Sequence, residues 1–460
     1  MTDPNLGITV MPEYIQSEGI ETVLNNIQSV ARAGSVTTSP YVASLADKGT
    51  GHREPSDDSG LGNKRLLDRP LWGRRQLWMS AAPSFIPEQS LYDGLAYQPP
   101  APDSLTQDEG PNVGQFIEQA KAHNMEVWLQ IQAAIPPCYK VQFGAPLPED
   151  EPLLPDYRPR PGRVDRNACL ASANLRQYVR AMVSDLYRNY PQIDGFKFDW
   201  PEYPVYHFDS LFFDFNPAMV PFATGLGLDL NALAAAAREF LSDLSSGVLR
   251  GKRIITDDFE SFLHSLTAAY PVIKELLALR HAVVTDYARF LRDAVDEASN
   301  GNCGLFLQSF PPPLNTATGF DSKKIAPYCT AIGVKFYTMH WPLIEADFMN
   351  ALASRADVSA ELAARAISRL LCLSPEISRS PEQIRYPEPD EAHPAPCEAI
   401  RTKIRQARQE GGNVPVWGIS HGYGPVEDVM RRFRALDGGA VQINRYAYLC
   451  DEKLAEIGAR

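Results

Sequence analysis

The sequence predicts an α/β chain folded as a (β/α)8 TIM barrel with long insertions in its βα loops. Three observations point there. Eight β-rich runs alternate with helical patterns, the order that parallel βαβ units produce. Segments leading from a helix into the next strand are short, as at 189–192 and 437–439. Those leading out of a strand are long, at about 40–111, 133–173, 200–228 and 342–396; barrels elaborate that one face because its loops build the active site. Finally, the strand faces turned to the barrel axis carry charged and amide side chains, which suits a ligand pocket better than an aliphatic filling. A doubly wound open sheet is the competing architecture. With no internal repeat and no linker, residues 1–460 read as one catalytic barrel domain.

The first strand is read at 6–12. A helix over 19–33 follows, in which Ile20, Val23, Leu24, Ile27, Val30 and Ala31 keep the 3.6-residue period. The second strand, 34–39, precedes the first long insertion. A helix near 112–123, with Asn112 as its cap, leads to the third strand at 125–132, and a helix over 174–190 leads to the fourth at 193–199. Helices over 229–247 and 268–299 precede the fifth strand, 304–310, and the sixth follows at 331–338. Helices at 356–372 and 397–410 come before the seventh strand, 413–420. A helix over 425–436 leads to the eighth, 440–446, and a short helix at 451–458 closes the chain.

Composition narrows the function. Hydrophobic residues make up 44% of 460 and charged residues 22%, enough for a large core and against wholesale disorder. A net charge of −12 without a basic tract argues against a nucleic-acid partner. No apolar run reaches the roughly 18 residues of a membrane span. The opening MTDPNLGITVMPEY lacks the basic start of a signal peptide. Seven cysteines are scattered without a CxxC pair and read as reduced thiols, with no zinc site. The expectation is a cytoplasmic protein that uses no cofactor or metal and takes a small-molecule ligand, with a homo-oligomer left open.

Strand alternation sorts side chains by face. Val127, Leu129 and Ile131, Phe196 and Phe198, Ile332, Val334 and Phe336, and Val441 and Ile443 turn to the helices. Inward go Trp128, Gln130 and Gln132; Lys197 and Asp199; Gln308; Lys335 and Tyr337; Gln442, Asn444 and Tyr446. The first strand adds Thr9, Met11 and, just past its end, Glu13. Buried charge is costly unless paired or functional. A Lys–Asp network that only satisfies itself is the structural alternative to a pocket.

The strongest local signal is Ile193-Asp194-Gly195-Phe196-Lys197-Phe198-Asp199-Trp200-Pro201-Glu202-Tyr203-Pro204. A strand ends on an inward carboxylate and a second follows three residues on. Glycoside cleavage needs such a pair, one group as nucleophile or base and the other to protonate the leaving oxygen. Lys197, on the same face, would keep Asp199 ionised or bind a sugar hydroxyl.

Gly-Phe-Lys-Phe-Asp resembles the fourth-strand nucleophile signature of retaining α-galactosidases and α-glucosidases. The stretch from Cys169 through Asn174 to Asp199 is similar to uncharacterised glycosyl-hydrolase-like barrels. That resemblance implies Asp199 as nucleophile but supplies no partner for it. The sixth strand ends Tyr337-Thr338-Met339-His340-Trp341, without the aspartate of the α-galactosidase pattern, and the seventh ends Ile419-Ser420-His421-Gly422. Glu202 is the first choice for proton donor, with Glu13, Asp321 and Asp347 behind it. Lys197, Gln308, Lys335, Tyr337 and Asn444 would hold sugar hydroxyls, Trp200 or Trp341 would stack on the ring, and Glu13, Gln130, His340, His421 and Tyr446 would complete the pocket.

Other readings stay open. Lys335 could serve a Schiff-base lyase or isomerase acting on a sugar phosphate, with the turn 420–425 at the phosphate. Glu13, Asp199 and His340 or His421 could form a metal site. A barrel that binds carbohydrate without catalysis is the remaining alternative.

Overall fold

The alternating runs form parallel strands that close on themselves. The computed structural model describes residues 2–57, 65–245, 259–356, 358–373, 380–436 and 438–459. Strands β1 (Asp3–Thr9) and β2 (Ala33–Thr38) open the ring. Strands β3 (Tyr41–Leu45), β4 (His52–Glu54) and β5 (Leu77–Pro83) form a small antiparallel sheet within the first insertion. The ring is completed by β6 (Glu126–Gln132), β7 (Gly195–Asp199), β8 (Gly304–Ser309), β9 (Ala331–Phe336), β10 (Val416–His421) and β11 (Val441–Asn444). The barrel is thus the (β/α)8 architecture expected, with β11 pairing back onto β1.

Several boundaries differ from expectation, each for a local reason. The first strand stops at Thr9 because Pro12 opens a short helix, Pro12–Glu18, a position where its missing N–H costs nothing. The helix after it is two pieces, Ile20–Leu24 and a π-helical Asn25–Val30. Asn112 does not cap its helix, which runs Pro111–Ala122 with Gly110 before it; Asp103 instead caps the preceding Ser104–Glu109. The expected 268–299 helix begins at Pro271, and a separate helix, Phe259–Ala269, precedes it. The segment after the sixth strand, expected as loop, starts with the helix Trp341–Ala356, and Ala360–Leu370 follows. The helix expected over 229–247 is seen as Leu230–Ser245; positions 246, 247, 357 and 437 lie outside the described residues. The three strands β3–β5 were not foreseen.

Alternation divides the core in two. Leu129, Phe196, Phe198, Leu307, Ile332, Val334 and Val441 face the helices in one large apolar cluster. Trp128, Phe306, Ala331 and Trp417 form a separate cluster inside the ring, with Trp128 edge-on to Phe306 at 5.4 Å. Glycines make room for these rings. A Cβ on Gly195 would stand 2.4 Å from Trp128, and one on Gly333 would stand 2.5 Å from Phe306.

Above this aromatic floor lies a polar layer. Lys197 sits 4.2 Å from the Phe306 ring centroid and donates to Gln442 Oε1. Gln442 Nε2 donates in turn to the hydroxyls of Thr9 and Thr37, each at 2.8 Å. The polar layer supports the barrel mouth, where the βα loops gather. Among the described residues no single helix is long and apolar enough to cross a membrane.

Candidate active site

Asp199 is the last residue of β7, in register with Gln132 of β6. The chain then turns sharply: Trp200 has φ 54°, a left-handed conformation uncommon for a bulky residue and typical of functional turns. That turn brings Trp200 N to 3.0 Å from Asp199 Oδ1. Asn167 holds it from outside, its Nδ2 donating to the carbonyls of Trp200 at 2.9 Å and Glu202 at 2.8 Å. Lys335, reaching in from β9, donates to the same Oδ1 at 3.1 Å. Oδ2 accepts no hydrogen bond from the described residues. The Asp199 side chain is 14% exposed, so the carboxylate is oriented at one oxygen and open at the other.

A cavity of about 550 Å³ lies over the barrel mouth, with Asp199, Trp200, Tyr206, Tyr337, His340 and His421 in its wall. Gln130, Gln132 and Asn444 add amide groups from neighbouring strand ends. Gln130 accepts from Gln308 through Oε1 at 3.1 Å, which leaves its NH2 for a ligand. His421 Nδ1 accepts from Tyr423 N at 3.1 Å. Burial, and after it Arg65, hold the imidazole well below its ordinary pKa. The neutral ring therefore carries its proton on Nε2 and can donate to a ligand. Burial, then the nearby Asp199 charge, push the Tyr337 phenol well above its usual range, so it too serves as a donor.

Other expected site residues fall elsewhere. Glu202 is fully buried and does not line the cavity. Its Oε1 accepts from Phe310 N at 2.9 Å, its Oε2 meets the Thr318 hydroxyl, and Lys335 stands 3.9 Å away. Burial pushes its pKa up to about 7, with Lys335 pulling the other way. Lys335 therefore lies between two carboxyl groups rather than facing the cavity as a free amine. Lys197 and Gln308 belong to the layer beneath, and burial holds the Lys197 amine well below its ordinary pKa.

Glu13 is fully buried on the Pro12–Glu18 helix and bound to Tyr41 and Lys140. It is thus not gathered with Asp199 and the histidines, and among the described residues no three His, Cys, Asp or Glu side chains group as a metal site. Trp341 turns to the helix side, 6.5 Å from Phe336. Tyr446 packs edge-on to Tyr14 at 5.4 Å and bonds Glu18; the chain leaves strand geometry after Asn444, so the period-two extrapolation to 446 fails. Asp321 caps the short helix Ser322–Ile325, and Asp347 binds His207 at 2.9 Å on a separate surface.

The sequence reading missed Tyr139, Lys140, Tyr206, Arg65 and Arg445, all in the cavity wall. Four of these belong to the insertions, where no strand register assigns a direction. Arg445 was within reach, since it directly follows the inward Asn444.

No family model and no curated protein matches the chain. Among solved structures, a β-galactosidase from the psychrophilic Marinomonas ef1 is similar at TM-score 0.50 and 13% identity, over 97% of this chain and 54% of that one. The catalytic domain of a β-amylase from Paenibacillus polymyxa is similar at TM-score 0.46 and 8% identity, over 99% of this chain and 96% of that one. The chain spans about half the length of the β-galactosidase it matches. At such identity the likeness is one of fold: the barrel described above is an architecture on which a glycosidase is built.

Proposed function

We propose that this barrel cleaves glycosidic bonds, with Asp199 as the carboxylate that meets the anomeric carbon. The observation that carries this reading is the state of Asp199: anchored through Oδ1, open at Oδ2, and set in the wall of a cavity at the C-terminal end of the strands. Lys335 holds Oδ1 at 3.1 Å and so leaves Oδ2 aimed at the substrate. Trp200, Tyr206 and Tyr337 offer aromatic edges and faces to the apolar side of a sugar ring. Gln130, Asn444 and His421 offer donors and acceptors to its hydroxyls. Glu202, sealed behind Lys335, acts on Asp199 through that lysine and is a positioning residue. The leaving oxygen needs a proton; the titratable groups of the wall suited to give it are His340 and Asp57.

The test is Asp199→Asn on a panel of 4-nitrophenyl glycosides. Turnover should fall by about 10³-fold or more while ligand binding persists. Equal activity of the variant would refute the assignment, and a wild-type chain that binds glycosides without turnover would favour the non-catalytic barrel. Asp57→Asn and His340→Gln, assayed with activated and unactivated leaving groups, separate the two proton donors. Only loss of the true donor slows the unactivated substrate while sparing the activated one.

A further inference from the structure

Asn444 ends β11 in register with His421 of β10, and Arg445 follows it in the cavity wall. The guanidinium is held in two ways. Its Nη2 donates to Glu54 Oε1, and the Tyr448 ring lies beside it, with the centroid 5.7 Å from Cζ. Glu54 is itself fixed. Fully buried at the end of β4, it accepts on Oε2 from Lys140 at 2.7 Å and from Gln142 at 3.1 Å. Lys140 gives a second N–H to Glu13 at 3.0 Å, and the Tyr41 hydroxyl closes the other oxygen of Glu13 at 2.7 Å. Two buried carboxylates thus meet two cations. They join both insertions to the barrel rim in a unit whose charges balance.

A guanidinium carries five N–H donors, and Glu54 engages only one of its nitrogens here. Nε and Nη1 of Arg445 meet no acceptor among the described residues, and neither is sealed beneath other atoms. The side chain is 10% exposed. Donors left without an acceptor in so dry a place are costly, so a ligand oxygen is what completes them. The balanced charge decides which kind. An anion would stand across the guanidinium from Glu54 and find no surplus charge to neutralise. Hydroxyl oxygens accept without charge, and the planar fork spans two neighbouring ones. The place suits a sugar ring as well. His421 lies 4.9 Å from the Tyr448 ring and 5.2 Å from the Tyr337 ring, centroid to centroid, and Tyr337 feels the charges of both Asp199 and Arg445.

We infer that Arg445 is a specificity-determining residue: anchored by Glu54, it donates through Nε and Nη1 to two neighbouring hydroxyls of a neutral sugar. This names the substrate class for the glycosidase reading above and rests on it.

The experiment measures binding by calorimetry to the full chain carrying Asp199→Asn. The probes are 4-nitrophenyl glucoside, galactoside and mannoside, each with its monodeoxy forms. Arg445→Lys, added to that protein, keeps a cation opposite Glu54 but removes the fork. It should weaken the tightest-binding hexoside by about tenfold or more. Before that change, loss of either contacted hydroxyl should cost a similar factor; after it, the same loss should cost little. The other deoxy forms should lose affinity equally in both proteins. Should Arg445→Lys fail to fold, Arg445→Met together with Glu54→Gln removes both charges at once and carries the same expectation. Losses that simply add for every hydroxyl overturn the inference and leave the glycosidase reading intact. So does a 4-nitrophenyl glucuronide that binds tighter than the glucoside. Failure of every glycoside to bind overturns both.

Discussion

Glu202 allows a prediction to be worked from its surroundings. Its Oε2 meets the Thr318 hydroxyl, which also lies 2.9 Å from the Asn315 carbonyl. A hydroxyl has one hydrogen. It can be given to Glu202 Oε2 or to the Asn315 carbonyl; given to Asn315, it leaves room for a protonated Glu202 to donate to Thr318. Burial favours that protonated form and raises the carboxyl from its ordinary 4.5 to about 7. The unfolded chain releases this proton near 4.5 and the folded chain keeps it to about 7, so the folded state binds more protons between those values. Its contribution to stability is whole below pH 4.5 and is lost as pH rises through 7. At about 1.4 kcal/mol for each pH unit of displacement, the loss is about 3 kcal/mol. Glu202→Gln copies the protonated form: Oε1 accepts from Phe310 N and Nε2 donates to Thr318. Guanidinium unfolding followed by tryptophan fluorescence from pH 5 to 8 should show the two proteins close at pH 5 and the variant ahead by about 3 kcal/mol at pH 8. Parallel pH profiles, or a variant weakened equally at every pH, would mean that the carboxyl is ionised throughout and that the reasoning is wrong.

Other outcomes follow from the same geometry. Lys335→Met removes the charge that pulls Glu202 down, so the alkaline loss of stability should move to higher pH in the same titration. Glu54 has the opposite sign: against the cost of burial, Arg445 and Lys140 bring it down to about 2, so its stabilisation is present above pH 4.5 and lost as pH falls toward 2. Glu54→Gln should therefore cost about 3–5 kcal/mol at pH 7, with two buried cations left short of charge, and the gap to wild type should close in acid unfolding curves. Gly333→Ala places a methyl 2.5 Å from Phe306 and 2.6 Å from Ile419; thermal unfolding should show a loss of about 1–3 kcal/mol from overpacking the barrel floor.

Strand periodicity carried much of the site. Because side chains alternate at every residue, the apolar sets at 127–131, 196–198 and 332–336 were enough to turn Gln130, Asp199, Lys335 and Tyr337 toward the axis, and the structure puts them there. The same reasoning failed where the strand ended. Counting past Asn444 turns Tyr446 inward, and proximity to a strand end suggests Trp341, yet both side chains pack outside the cavity on aromatic neighbours. Glu202 is suggested by its place three residues after Asp199. Sequence distance along a turn says nothing of direction, and this turn aims its carboxyl away from the cavity toward Phe310 and Thr318.

Read alone, the chain determined a closed ring of parallel strands, the acidic residue that ends the fourth of them, and the polar lining of the axis. All of these follow from local alternation, which needs no knowledge of distant residues. Tertiary structure decided which of two neighbouring carboxyls meets solvent, and it set Arg445 in the cavity wall. Those outcomes depend on contacts between residues a hundred or more positions apart, as when Thr318 closes over Glu202 or Arg445 meets Glu54. Burial and charge pairing are properties of such meetings, and no local pattern in the chain encodes them.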